Sequence, residues 1–354
     1  MIKNKYKMIG VMSGTSMDGL DLAYVQFILK DKWFFKIIAS ETIPYSDSWR
    51  KVLKNLVFKS PVALEQIDQE YSIHISDLIN QFIENNNISD LDAICSHGHT
   101  ALHQPKEGLT YQIGNQQSLS TQTNHTVICD FRIQDVQLGG QGAPLVPIGD
   151  ELLFSQYDFC INLGGFANIS RTMMGNRIAF DICPVNCVLN YYVSSLGLHY
   201  DMDGQMAASG KLNKPLLYKL NNLNFYNKEF PKSLGIEWVH SDVIPLIDSC
   251  DLEVSDILRT YVEHCAVQIT KEISRVKHAS VLMTGGGVYN IFLMKRIEEL
   301  THHNIVIPSE DIIDYKEALV FGLLGVLKLR GENNCLKSVT GAKVDHSSGI
   351  IYKP

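Results

Sequence analysis

Ile9-Gly10-Val11-Met12-Ser13-Gly14-Thr15-Ser16-Met17-Asp18-Gly19-Leu20-Asp21 is a short apolar run that breaks off in small hydroxyl and glycine residues before a second apolar run begins. A turn of this kind presents several backbone N–H groups and hydroxyls in one place, which is the chemistry that holds phosphate oxygens. Asp18 and Asp21 stand just beyond it. Carboxylates oppose bare phosphate but suit phosphate carrying a bridging metal ion. A plain hairpin uses the same turn formers, so the stretch alone leaves the two readings even.

Working outward, residues 8–12, 20–29 and 33–43 read as three strands, with Lys30-Asp31-Lys32 as a hairpin turn. Helical patterns follow over 48–58 and 61–86, the second opening on Pro61. A buried strand at 91–95 ends in Ser96-His97-Gly98-His99-Thr100, and one at 127–129 ends in Asp130-Phe131-Arg132. Polar groups collected after strand ends point to a crevice at the carboxyl edge of a sheet. Residues 138–148, rich in Gly and Pro, read as a boundary and a shaped loop together. The opening pattern then returns: strand 159–163, Gly164-Gly165, strand 167–173, a tight turn, and strand 178–180. Two such β-rich units, each followed by helices, argue for a duplicated α/β chain. Later come helix 256–276, strand 280–283 running into Thr284-Gly285-Gly286-Gly287, and helices 288–299 and 315–329. The expected lobes are 1–131 with about 330–354, and 132–329.

The chain has 354 residues, 45% hydrophobic and 19% charged, with a net charge of −7. These are ordinary values for a globular enzyme. No basic cluster supports a nucleic-acid partner, and no apolar run reaches the ~18–20 residues of a membrane span. The apolar run 8–12 is too short for a signal peptide, so a cytoplasmic location is expected. The eight cysteines are scattered, mostly in apolar runs, and read as buried free thiols. Cys183 and Cys187 lack further ligands at zinc-binding spacing. Nothing signals oligomeric state, and a homodimer is the default expectation.

The opening loop, Ser96-His97-Gly98, Asp130-Phe131-Arg132, Gly139-Gly140-Gln141-Gly142-Ala143-Pro144-Leu145, Asn162-Leu163-Gly164-Gly165-Phe166-Ala167-Asn168, Gly285-Gly286-Gly287, Glu317-Ala318 and Val339-Thr340-Gly341-Ala342 occur in an order that resembles the anhydro-N-acetylmuramic acid kinase family. The resemblance runs from Ile9 to about residue 349. Each motif is weak alone, and their joint order is specific. It implies an actin-like ATPase fold, α/β with two duplicated ribonuclease-H-like lobes around a central nucleotide and substrate cleft. It implies ATP and Mg²⁺ as cofactors and a small amino sugar as substrate. The reaction it implies opens the 1,6-anhydro ring with water and phosphorylates O6, giving N-acetylmuramic acid 6-phosphate in peptidoglycan recycling.

On that resemblance, Gly14, Thr15, Ser16, Met17, Asp18, Gly19, Leu20 and Asp21 hold the ATP phosphates, with Asp18 near the metal. Gly164 and Gly165 form the matching turn, and Gly285, Gly286 and Gly287 meet the adenosine. Asp181 is the carboxylate base that activates water at the anomeric carbon, and Glu317 is a supporting glutamate. His97, Asp130, Arg132 and Asn186 contact the sugar, where the forked guanidinium of Arg132 suits the lactyl carboxylate. Plainer readings stand beside these. The lesser alternatives are Asp181 as a helix cap before Pro184 and Arg132 in a structural ion pair with Asp130 or Asp135. Asp181-Ile182-Cys183-Pro184-Val185-Asn186 departs from the family's Asp-Thr-Gly-Pro-Gly-Asn at two glycines, and His99 stands where the family usually has Gln. Either the backbone there needs no glycine or the pocket is reshaped. The second case motivates the alternative of an ATP-binding relative whose sugar kinase activity is altered or lost.

Overall fold

The structure is a computed structural model that describes residues 3–14 and 17–354. The strands are β1 Lys5–Met12, β2 Gly19–Leu29, β3 Trp33–Pro44, β4 Ala93–Ser96, β5 His99–Gln104, β6 Leu109–Ile113, β7 Val127–Cys129, β8 Phe159–Leu163, β9 Phe166–Met173, β10 Asn176–Pro184, β11 Ser280–Thr284, β12 Asn304–Val306 and β13 Ile350–Tyr352.

The chain divides into two units, one of residues 1–153 with 315–354 and the other of 154–314. The sequence reading set these boundaries near 131 and 330. The first division instead follows the helix Pro147–Leu153. The second falls inside the helix Glu310–Arg330, where Tyr315 leaves helical geometry at φ −111°, ψ 15°. The helix read over 315–329 begins at this residue, although the sequence reading assigned it to the second lobe.

In the first unit the sheet order is β13-β7-β4-β1-β2-β3. β1, β2 and β3 are antiparallel neighbours, while β4 joins β1 in parallel and β7 joins β4 in parallel. In the second the order is β10-β9-β8-β11-β12. β8, β9 and β10 are antiparallel, and β11 and β12 add in parallel. Three antiparallel strands followed by two parallel ones occur in the same order twice. The chain is therefore two duplicated ribonuclease-H-like units, one of them extended by β13.

Burial explains the elements. β1 and β2 are almost wholly buried, as strands covered on both faces must be. The helix Pro61–Asn85 starts where the Ser60 side chain accepts from the Ala63 N–H, and it buries Leu64, Tyr71, Ile75, Ile79 and Phe82 against the first sheet. The helix Glu310–Arg330 lies so close to β1 that a Cβ on Gly10 would stand 1.8 Å from the Ala318 carbonyl oxygen. That contact places Glu317 next to the strand that leads into the opening loop. In the second unit the helix Val254–Ile273 buries Tyr261, Cys265 and Ile269 in the core with β8 and β10. The hairpin β5–β6, absent from the sequence reading, extends the first unit beyond its main sheet.

Candidate active site

The opening loop leaves β1 at Ser13 and Gly14 and returns through Met17, Asp18 and Gly19. Thr15 and Ser16 lie outside the described residues. Met17 adopts φ 55° and donates its N–H to the Gly14 carbonyl at 3.3 Å. The Gly19 N–H donates to Asp18 Oδ1 at 3.0 Å, and Thr42 Oγ1 donates to Asp21 Oδ1 at 2.7 Å. Leu20 is buried in the core.

A hydroxyl chain fixes the start of this loop. Tyr45 donates to Ser13 Oγ at 2.8 Å, Tyr45 and Tyr71 share a 2.6 Å bond, and Ser13 Oγ lies 2.8 Å from His99 Nδ1. Burial lowers His99 to about 4, so the ring is neutral at pH 7 and pairs with a hydroxyl rather than a carboxylate. Tyr45, Tyr71 and His99 come from distant positions; the strand-end group 96–100 contains His99, and no motif announces the two tyrosines.

His97 and Arg132 meet directly. His97 Nδ1 donates to the Gly98 carbonyl at 2.8 Å, which leaves Nε2 as an acceptor for Arg132 Nε at 2.9 Å. Burial first, and the Arg132 charge second, hold His97 well below its ordinary value, in keeping with the neutral ring this pairing needs. Arg132 Nη1 donates to the Gly142 carbonyl at 2.6 Å. Arg132 pairs with neither Asp130 nor Asp135 among the described residues. Asp130 takes φ 57° and accepts from Asn115 Nδ2 at 2.9 Å. Burial raises its carboxyl to about 6, against the pull of that bond.

Glu317 reaches solvent, yet it is crowded by protein. Desolvation raises its carboxyl, opposed by Arg132 and then Lys316. The neighbouring Lys316 is buried against Asp150 at 2.7 Å, which ties this turn of helix to the helix Pro147–Leu153.

In the second unit Asp181 lies within β10, not at a helix cap. The helix Asn186–Ser194 begins five residues later and is capped by Val185. A bulge between Asp181 and Cys183 interrupts the pairing with β9. Asp181 is gripped from two sides by one segment. Its N–H donates to the Lys232 carbonyl at 3.2 Å, and its Oδ2 accepts from the Leu234 N–H at 2.8 Å. Desolvation raises its carboxyl above the ordinary value, and the Leu234 bond partly offsets this. Lys232 is anchored by a buried ion pair with Glu272 at 3.0 Å. The Pro184 carbonyl at the end of the strand accepts from Tyr261 at 3.0 Å.

The two substitutions beside Asp181 face the core. Cys183 and Val185 are fully buried in the apolar cluster of the second unit. Val185 has φ −127° and Cys183 is not in the left-handed region. Both side chains pack inward, although Val185 at φ −127°, ψ −92° lies outside the helical and extended regions.

The glycines of this unit fall into two groups. A Cβ on Gly285, which has φ 82°, would meet Asn162 Oδ1 at 2.6 Å, and one on Gly287 would meet Leu163 Cβ at 2.7 Å. The fold requires both. Gly286 has nothing within 4 Å of such a carbon, and Gly165 meets only Cys187 Cβ at 3.9 Å. Gly164 has a neighbour at 3.3 Å, the flexible amide of Asn162. None of these three has a positive φ, so neither backbone conformation nor a backbone clash in the fold requires glycine there. The Gly164 carbonyl accepts from the Asn186 N–H at 3.3 Å and the Gly165 carbonyl from Val185 at 2.8 Å, which seats the turn on the start of the helix Asn186–Ser194.

A family model described as anhydro-N-acetylmuramic acid kinase matches residues 6–354. A protein of that name from Pseudomonas savastanoi pv. phaseolicola is 34% identical, with 97% of this chain and 98% of that protein covered. One from Haemophilus influenzae is 32% identical, with 97% of each covered. Among solved structures, the activator of the 2-hydroxyisocaproyl-CoA dehydratase from Clostridium difficile with bound ADPNP aligns at a TM-score of 0.45 and 14% identity, covering 92% of this chain and 96% of that one. No helix among the described residues is long and apolar enough to cross a membrane.

Proposed function

The chain belongs to the anhydro-N-acetylmuramic acid kinase family, and from that premise we propose that Asp181 is the base with which it opens the anhydro ring. The reaction uses ATP and water to cleave the 1,6-anhydro bridge and phosphorylate O6, yielding N-acetylmuramic acid 6-phosphate and ADP. Asp181 accepts a proton from water as its oxygen bonds to the anomeric carbon. The C1–O6 bond breaks, and O6 takes the γ-phosphoryl group in place of the proton that a glycosidase acid would donate.

The observation that carries this reading is the grip on Asp181. One carboxylate oxygen accepts from Leu234, and the other has no donor among the described residues. A carboxylate held by one oxygen, with its proton affinity raised by burial, is oriented and basic enough to take a proton from water. The match to this family along nearly the whole chain does not favour a relative that has lost its sugar activity, and Cys183 and Val185 pack into the core.

ATP is assigned to Gly14 through Asp21, to Gly164 and Gly165, and to Gly285, Gly286 and Gly287. The unforced glycines Gly164, Gly165 and Gly286 support this, because each offers backbone that a ligand approaches closely. Asp18 is assigned to Mg²⁺. The carboxylates of Asp18 and Asp21 are the hard oxygen donors this ion takes, and when bound it neutralises phosphate charge. His97, Asp130, Arg132 and Asn186 are assigned to the sugar, with Glu317 in a supporting role. Arg132 Nη2 has no protein partner among the described residues, which suits it to the lactyl carboxylate. A cytoplasmic setting accords with eight free cysteines.

The test is turnover of anhydro-N-acetylmuramic acid with ATP and Mg²⁺ in isotopically labelled water. Solvent oxygen at C1 of the sugar phosphate is expected. Turnover of intact N-acetylmuramic acid alone would replace this reading with an ordinary hydroxyl kinase.

A further inference from the structure

Asp135, Cys335 and His346 converge in the interior of the first unit, from parts of the chain that the kinase reading does not use. All three are buried, and their candidate ligand atoms lie within 4.8 Å of one another. Cys335 and His346 form an isolated antiparallel bridge. The Cys335 N–H donates to the His346 carbonyl at 3.1 Å, and the His346 N–H donates back at 3.2 Å. Residues so paired project their side chains from the same face. Asp135 belongs to the short helix Ile133–Gln137. Its Oδ1 accepts from Thr340 Oγ1 at 2.6 Å and its Oδ2 from the Gly142 N–H at 2.7 Å.

The histidine is the informative member. Its Nδ1 donates to the Val344 carbonyl at 3.0 Å, which turns Nε2 towards the cluster. That nitrogen is buried, has no hydrogen-bond partner among the described residues, and lies 3.6 Å from Asp135 Oδ1. The imidazole nitrogen and the carboxylate oxygen thus face each other beyond ordinary hydrogen-bond length. In a protein interior this arrangement calls for a positive centre. A histidine whose far nitrogen is bonded to a backbone carbonyl, leaving the near one as a lone pair, is oriented as metal-bound imidazoles are.

We propose that Asp135, Cys335 and His346 supply three ligands to a borderline-soft divalent cation of the zinc class. A separation of 3.6 Å between two ligand atoms suits tetrahedral bonds of about 2.0 Å each. Carboxylate, thiolate and neutral imidazole together carry two negative charges and balance one dication, beside the positive charges of Arg132 and Lys328. The Cys335 thiol gives its proton to solvent as the sulfur–metal bond forms. The ion would clasp the bridge to the loop after Asp135, where the Gln141 N–H already donates to the Thr340 carbonyl at 2.8 Å. Arg132, a proposed sugar contact, stands three residues before Asp135 and feels the charges of Asp135 and Cys335.

The experiment titrates the metal-free full chain with Co²⁺ and Zn²⁺, without nucleotide or sugar, and reads stoichiometry and absorption. About one equivalent of tightly held metal is expected, with a thiolate-to-cobalt charge-transfer band. Cys335→Ser should abolish that band, and Cys335→Ser with His346→Gln should lose the uptake. Zinc should raise the melting temperature of the parent and not of the double variant. If the parent shows no cobalt–sulfur band, or takes up no more metal than the double variant, the site is an imidazolium–carboxylate pair and the proposal is overturned. The parent measurement decides this even if a variant fails to fold.

Discussion

The backbone N–H of Leu234 donates to Asp181 Oδ2 at 2.8 Å, across 53 residues of sequence. The same segment accepts the Asp181 N–H through the Lys232 carbonyl, so the carboxylate is fixed by main chain rather than by another charge. An asparagine retains a carbonyl oxygen for Leu234 and loses only the ability to take a proton. Asp181→Asn should therefore lower kcat by about 10²- to 10⁴-fold while ATP still raises the melting temperature as in the parent. Loss of that ATP-induced shift would mean the residue supports the fold or the nucleotide instead of the chemistry.

The pH profile follows from the direction of the shift. Asp181 must be ionised to act, and burial raises its carboxyl above the ordinary range. Activity should fall as pH drops through that raised value, placing the acid limb of kcat above the ordinary ~3.9 of an aspartate. Asp130, raised to about 6, is the competing source of such a limb. In Asp130→Asn the limb should stay where it was. A limb that disappears in this variant would assign the titration to Asp130.

Stability should move the other way from activity. A folded-state value raised above the unfolded one means the folded protein holds the proton more tightly. The resulting stabilisation is fully present below the unfolded value and is lost as pH rises through the folded one. At neutral pH the parent thus carries a half-buried charge that Asp181→Asn removes. The variant should melt higher than the parent at pH 7, and the gap should close as pH is lowered towards 4. A variant that melts lower at every pH would show that the ionised carboxylate stabilises the fold.

The duplicated sheets were legible because alternation and buried runs repeat around glycine turns in both units. Strand 159–163 was read to the residue, since Phe159–Leu163 is apolar and bounded by Gly164. The neighbourhood of Asp181 was not legible. The strand read as ending at Phe180 continues to Pro184 through a bulge, and no side-chain period encodes a bulge. Its grip comes from residues 232–234, a segment without periodicity. The Tyr45–Ser13–His99 chain joins three elements whose proximity is decided by the sheet order, and the Cys335–His346 bridge depends on a loop folding back.

The sugar contact proposed for Arg132 can be tested apart from nucleotide binding. Its Nε and Nη1 are committed to His97 and the Gly142 carbonyl, a fork that lysine cannot reproduce. Arg132→Lys should raise KM for the anhydro sugar by roughly 10- to 100-fold, as expected for losing charged hydrogen bonds of about 1.5–3 kcal/mol, with KM for ATP little changed. An equal rise in both would make Arg132 a support of the whole unit.

The glycines offer a comparison in which fold and ligand predict opposite outcomes. Gly285 and Gly287 abut Leu163 and its carbonyl, so alanine at either position must displace β8, and Gly285 adds the cost of a positive φ. Gly285→Ala and Gly287→Ala should each destabilise by about 1–3 kcal/mol, read as a lower melting temperature without any ligand. Gly165 and Gly286 have ordinary or open surroundings and no positive φ. Gly165→Ala and Gly286→Ala should leave the ligand-free melting temperature unchanged and raise KM for ATP, because the added methyl group occupies space assigned to the nucleotide. If both alanines are silent in KM as well as in stability, the bare backbone at these positions meets no nucleotide, and the assignment of ATP to these two glycines fails while that of the opening loop stands untouched.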